Sequence, residues 1–458
     1  MKKYKYSDEQ QKINNVLTYQ DEELNHLMHD SQARRNQTDA EIEMLEKQLR
    51  SLGIDPSGVR KNIVSNNTPK KLMIVPSWDT LCKEAEAAVG IGCKLEDLFS
   101  EEELKTNVQA IKMLNAEYKQ IHRLDKVDIG ISAFAGIIGA VVDILLVGIP
   151  QKTPNGLSAG RLSDFIREKF DEVFPADEME KLANSKLSKV PYDAQDNRNT
   201  IERVTGLSAY YHRMLSLGHD PFLGFAVGVF DILTGRMTTI DKEGKFVSQI
   251  MENYANRKES DIFAALGKQI IHLKSDITTS MGLPVPLMGV FNLFQFGSIG
   301  EYEQTVAEIV QGMYYEGYDF IHFCSMSIPT MIVEVIVRLG YAFKRIKEGN
   351  KIKESIPFST NREKHPKLAT MLFIGHSAAT AINAGKVAFT KNPMAINYPQ
   401  WIAFAKYSYS QAKWILVEKT EMQDKYVSGK LNDELSVLYA EIDQKFDEWS
   451  SEYRIIME

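Results

Sequence analysis

Residues 129–149 read Ile-Gly-Ile-Ser-Ala-Phe-Ala-Gly-Ile-Ile-Gly-Ala-Val-Val-Asp-Ile-Leu-Leu-Val-Gly-Ile, and across those 21 positions the only charge is Asp143. A helical run of this length and composition must be buried in protein or enter a bilayer, because water leaves its apolar surface unsatisfied. The small residues Ala135, Gly136 and Gly139 permit a neighbouring helix to come close. A carboxylate in such surroundings is costly unless it is paired, hydrogen-bonded or bound to a metal. Asp143 is therefore a candidate metal ligand, with an ion pair to a buried neighbour as the simpler alternative. The rest of the chain is far more polar. Mean hydropathy is −0.26, and 54 basic against 61 acidic residues give a net charge of −7. That balance excludes a chain that is mostly transmembrane and a polybasic nucleic-acid binder, so no nucleic-acid partner is expected.

Helical signals dominate. From residue 8 to 52 there is no Pro or Gly, and Glu, Gln, Lys and Arg abound, which favours one long helix. Leu17, Leu24, Leu45 and Leu52 share one heptad position, and Met28, Ile42 and Leu49 the complementary one. Ser31, Arg35 and Thr38 make the middle of this seam polar. The pattern is that of an interrupted coiled coil. It implies self-association through residues 8–52, or a helix folded back on its own body. Residues 53–71, with Gly53, Pro56, Gly58 and Pro69, read as a linker. Amphipathic and apolar helices fill 72–398, and closing helices fill 399–458. The exception is a β-hairpin near 236–247 with its turn at Lys242-Glu243-Gly244. The expected class is all-α: a multi-helix bundle around an apolar central helix set, with that small hairpin and a coiled-coil-like N-terminal helix.

Nucleotide-binding glycine loops are missing, and the three cysteines (Cys82, Cys93, Cys324) are too few and too scattered for a disulfide framework or a zinc ribbon. With no apolar leader after Met1, the expected setting is the reducing cytoplasm, with peripheral or integral attachment at an inner membrane if residues 129–149 meet lipid. Chemistry concentrates in histidines and aspartates beside the apolar segments. His272 and Asp276 are four apart and share one helix face. His219 is followed by Asp220, and His212 by Arg213. Neutral imidazoles and carboxylates gathered where water is scarce form a divalent-metal site, and a mixed N/O set suits Zn, Mn or Fe. The expected ligands are Asp143, His219, Asp220, His272 and Asp276. His212 is read as a further ligand or a general acid, and Arg213 as the holder of an anionic group. His322 and His376, in apolar helices, read as core histidines, and Glu334 as the i, i+4 partner of Arg338.

The order of these motifs resembles that of bacterial membrane-bound metal-dependent hydrolases of the LexA-regulated type. The matching elements are Val142-Asp143-Ile144 at the end of an apolar helix, His212-Arg213, Gly218-His219-Asp220, and His272-Leu273-Lys274-Ser275-Asp276. The last runs into Ile277-Thr278-Thr279 and Gly282-Leu283-Pro284-Val285-Pro286. The resemblance covers roughly residues 120–295. It implies a His/Asp metal site and hydrolase-like chemistry, and the residues beside it lead us to expect hydrolysis of a phosphoester or lipid-like substrate by an activated water. The sequence departs from the pattern where a second Asp and a His would follow Asp143; Leu145 and Leu146 stand there, and Asp220 is the expected substitute. The contrasting reading is a non-catalytic helical scaffold, or a membrane-associated interaction protein, with a degenerate site.

Overall fold

A computed structural model describes residues 5–56, 71–153, 156–299 and 302–457. Its fold is all-α with small two-stranded ribbons. In chain order the helices used below are α1 (Asp8–Ser51), α2 (Trp78–Val89), α3 (Glu101–His122), α4 (Lys126–Val142, continued by a π-helical turn Asp143–Val147), α5 (Arg161–Val173), α6 (Ala176–Ala183), α7 (His212–Leu215), α8 (Val227–Thr234) and α9 (Ile262–Asp276). They continue with α10 (Val306–Tyr315), α11 (Phe320–Lys347), α12 (Ile352–Ser355), α13 (Leu368–Thr390), α14 (Tyr398–Lys413) and α15 (Lys419–Glu452).

Two compact units result, residues 1–120 with 419–458, and residues 121–418. In the first, strand β1 (Lys71–Val75) pairs in parallel with the strand Tyr453–Met457 at the other end of the chain. Tyr118 of α3 meets Tyr426 of α15 at 5.4 Å between ring centroids. These long-range pairings redraw the sequence-based boundaries: 72–120 joins the N-terminal helix rather than the central body, and 399–418 joins the central body. Of the expected linker, residues 57–70 lie outside the described residues. The N-terminal helix begins at Ser7, whose side chain accepts the Gln10 N–H while the Gln10 side chain accepts the Ser7 N–H. Its first turns bury Asn14, Asn15 and Val16. Gln11 Nε2 donates to the Cys93 carbonyl at 2.7 Å. Beyond those turns its side chains are predominantly exposed.

The second unit is built on α4, α11, α13 and α14, whose shared core includes Ala135, Val333, Val337, Leu368, Met371, Leu372 and Tyr407. The small residues of α4 act as the sequence suggests. A Cβ at Gly136 would stand 2.4 Å from the Gly375 carbonyl oxygen, and one at Gly139 would stand 2.5 Å from Val333 Cγ2. Two helical stretches, Glu101–Val147 and Phe320–Lys347, are long and apolar enough to cross a membrane. Only 33% and 39% of their most apolar windows are buried.

A second apolar cluster, including Val190, Tyr192, Leu215, Ile232, Met237 and Ala265, joins α8 and α9 to the hairpin. The hairpin, Arg236–Ile240 with Phe246–Ile250, runs three residues beyond its expected end. Asp241 organises its turn by accepting the N–H groups of Glu243 and Lys245. Asp231 of α8 is fully buried and accepts both the N–H and the hydroxyl of Thr238, fastening helix to hairpin. Burial outweighs those hydrogen bonds and pushes its carboxyl up to about 6 from 3.8. The folded chain therefore keeps a proton between about pH 4 and 6 that the unfolded chain has released. Stability falls as pH rises through that window, by up to about 3 kcal/mol. Denaturant unfolding of wild type and Asp231→Asn at pH 4 and pH 7 checks this: the stability difference between the two proteins should change by ~2 kcal/mol in favour of the variant at pH 7. A pH-independent difference would refute it.

Candidate metal centre

Helix α9 starts at Asp261, whose side chain accepts the Ala264 N–H, and its buried face carries Ala265, Gln269, His272 and Asp276. The i, i+4 spacing sets His272 and Asp276 side by side, with His272 Nε2 3.6 Å from Asp276 Oδ2. Two short turns bring in His212, which opens α7, and His219, which follows Gly218. A loop supplies Asp193, which the sequence reading missed. His212 Nε2 lies 3.4 Å and His219 Nε2 3.7 Å from Asp193 Oδ1, and His219 Nε2 is 3.9 Å from Asp276 Oδ2. One ligand atom each from Asp193, His219 and His272 falls within 4.8 Å of the others.

These separations are too long for good hydrogen bonds. His212 Nε2, both nitrogens of His219, His272 Nε2 and Asp276 Oδ2 are buried without a hydrogen-bond partner among the described residues. Ligands about 2.0–2.2 Å from one ion stand roughly 3–3.5 Å apart, close to the spacing found here. Orphaned, convergent imidazole and carboxylate atoms fit a divalent cation, and the N/O donor set is compatible with Zn, Mn or Fe. Electrostatics fit as well. Burial, reinforced by the imidazoles of His272 and His212 and partly offset by Asp193, pushes His219 down to about 4, so it is neutral near pH 7. Burial alone would raise Asp193, but His212, His219 and His272 outweigh it and hold the carboxyl well below the usual range. The Nδ1 of His212 lies 2.9 Å from the Ala209 carbonyl oxygen. Donation there fixes the tautomer and leaves the Nε2 lone pair for the cluster, which suits a ligand better than a general acid.

The remaining candidates take supporting or separate places. Arg213 Nη2 donates to Asp276 Oδ1 at 3.1 Å, and Nη1 donates to Thr279 Oγ1 and to the Gly282 carbonyl. It fixes the Asp276 carboxylate, and these bonds occupy the fork that the sequence reading assigned to an anion. Asp220 does not join the cluster: Oδ1 accepts the N–H groups of Phe222 and Leu223 and Oδ2 that of Leu287, because the chain reverses there and its amides need acceptors. Asp143 is also elsewhere, in the helical bundle. Its carboxylate is 2.9 Å from Lys386 Nζ and accepts from Asn383 and Asn397. That buried ion pair satisfies the charge without a metal. Asp193 carried no helical periodicity to mark it; the one local cue is Pro191-Tyr192-Asp193, a Tyr-Asp pair fixed by a proline. A groove of about 1080 Å³ runs past the turn after Asp276, lined by Lys152, Arg167, Thr278, Thr279 and Ser280 among others.

No family model, curated protein or solved structure matches this chain.

Tyr192 forms a wall of the centre. Its ring stands edge-on to His219 and His272, with centroids 5.1 and 5.4 Å away, and its hydroxyl donates to Gln269 Oε1. Gly218 is required beneath it, because a Cβ there would lie 2.7 Å from Tyr192 ring carbons. Gly218→Ala should displace Tyr192 and the adjoining Asp193, with ~1–3 kcal/mol lost from stability and an affinity for Zn or Mn at least about tenfold weaker, in the range expected for disturbing a metal's supporting shell. Competition with a chromogenic chelator and thermal melting measure both; wild-type values for each would show that the wall is not rigid.

Proposed function

We propose that this chain is a metal-dependent hydrolase acting on a phosphoester or lipid-like substrate, with Asp193, His212, His219, His272 and Asp276 as the metal-holding set. The observation that carries this reading is the convergence of buried, unpartnered imidazole nitrogens and carboxylate oxygens from α7, α9 and two loops. The later elements of the motif order that resembles LexA-regulated membrane-bound hydrolases, His212-Arg213, His219 and His272 with Asp276, support it, whereas the Asp143 element lies apart from the cluster. A divalent ion held there supplies Lewis acidity, acidifying a water and polarising a carbonyl or phosphoryl oxygen. Arg213 keeps Asp276 aimed inward, and Tyr192 and Gln269 hold the imidazole walls. Elemental analysis of protein purified without chelators or a His tag should find about one equivalent or more of Zn, Mn or Fe. His219→Ala with His272→Ala should lose it, and hydrolysis of bis-p-nitrophenyl phosphate should fall at least about a hundredfold. Full metal occupancy in the double variant would overturn the site.

We further propose that the protein works against a membrane surface. On α11 the outward residues Met331, Val335, Leu339 and Phe343 repeat every fourth position, all at least half exposed, and on α4 Phe134, Ile137 and Val141, at steps of three and four, are 57%, 49% and 43% exposed. A core helix of a water-soluble bundle would bury such a stripe. The protein should float with phosphatidylethanolamine/phosphatidylglycerol vesicles. Val335→Glu with Leu339→Glu, both on the outer face, should shift it to the soluble fraction while leaving metal content unchanged. Unchanged flotation would remove this face from membrane contact.

A further inference from the structure

The N-terminal helix leaves a long seam uncovered. Leu24, Met28 and Leu45 are 57%, 63% and 57% exposed, and Leu17, Ile42 and Leu52 are also exposed. Solvent-facing leucines at heptad spacing on a 44-residue helix call for a partner helix of similar length. We infer that this partner is the same helix of a second copy, running antiparallel.

Charge and polarity along the seam select the orientation. In a parallel, in-register pair, like positions face each other, so Arg35 would meet Arg35 of the second copy inside the seam and Glu41 would flank Glu46. Both contacts are repulsive, and the Arg34–Asp39 flank that the parallel pair also makes offsets the second but leaves the buried Arg35 pair opposed. The antiparallel arrangement that sets Met28 against Leu45, and Leu24 against Leu49, relieves both. Arg35 then faces Thr38, Ile42 faces Ser31, and on the flanks Arg34 of each copy stands beside Glu41 of the other. Sliding that arrangement by one heptad sets Arg34 against Arg34, so the charges fix register as well as direction. The polar middle of the seam, unhelpful to a long parallel coiled coil, lies on the twofold axis of the antiparallel one. There the apolar layers fall on both sides of it. The first turns of the helix are already engaged with their own unit through Asn14, Asn15 and Val16, so the seam beyond them is what remains for association.

The test uses the full chain with Cys82, Cys93 and Cys324 replaced by serine. One preparation carries Met28→Cys and another Leu45→Cys. Mixed and treated with a short bis-maleimide, they should give a covalent dimer, whereas neither alone should. In the antiparallel dimer the like cysteines of two copies of one variant stand about 25 Å apart along the helix axis, too far for the reagent to join. Cross-linking of the Met28→Cys preparation by itself would overturn the antiparallel orientation. Sedimentation equilibrium should show a species of twice 51.9 kDa. Arg34→Glu should raise the dimer dissociation constant about tenfold, two flanking attractions having become repulsions, and Arg34→Glu with Glu41→Arg should restore it. These residues are exposed on the helix, so the unit folds in every variant. A monomer at all concentrations, or indifference to the charge exchange, would overturn the proposal.

Discussion

Buried charge must find a partner, and most of the second unit is arranged around that rule. Asp143 meets Lys386 between α4 and α13. Asp128, at the start of α4, takes Lys344 from α11 and Lys367 from the turn before α13. Arg167 of α5 holds Asp319 with two hydrogen bonds, and Asp319 caps α11 through the His322 N–H. Each pair ties one helix to another at a defined place, giving an apolar bundle a specific registration that interchangeable aliphatic contacts would supply less well. The His/Asp cluster is where the rule is broken. Three imidazoles and two carboxylates crowd together, and the atoms facing inward lack the hydrogen bonds their burial demands.

That break rests on a rigid frame. Gln269 donates to the Gly218 carbonyl at 2.7 Å and accepts from Tyr192, so one side chain of α9 fixes both the His219 turn and the aromatic wall. Gly224 and Gly228 lie so close to Gln269 that a Cβ on either would collide with it. The cluster is thus positioned by a helix, two tight turns and a buried amide. Asp193 is supplied by a loop, and the helix, turns and amide around it form the kind of frame by which a preorganised site retains its geometry.

The all-helical class, the long first helix and the hairpin were legible because each depends on local periodicity or turn chemistry. The side-by-side placement of His272 and Asp276 was legible for the same reason, since it follows from helical spacing, whereas His219 drew attention beside Asp220, which does not join it. Asp193 was not legible, because a loop residue's contribution depends on tertiary placement that no local period encodes. Asp143 drew attention as a carboxylate in apolar sequence, which correctly required a partner for it, and Asp220 as the neighbour of His219. Sequence reasoning could not tell a lysine and two asparagines far along the chain, or three backbone amides, from a metal. The unit boundaries escaped for a related reason, since the pairing of Lys71–Val75 with Tyr453–Met457 spans nearly the whole chain.

Charge bookkeeping at the centre bears on the substrate class. Asp193 and Asp276 contribute two negative charges, the imidazole of His219 is neutral near pH 7, and Arg213 contributes one positive charge through its pairing with Asp276. In the proposed metal-bound form, where every ligating imidazole is neutral, the centre would carry a net charge of −1 without the divalent ion's own charge and +1 with it. A buried centre of net positive charge attracts anions and stabilises charge that grows on a phosphoryl or carboxyl oxygen. Without Arg213 the loaded centre would be neutral and that preference would weaken. Arg213 orients Asp276, and in the metal-loaded hydrolase proposed above its charge would tilt the centre towards phosphoesters over neutral esters.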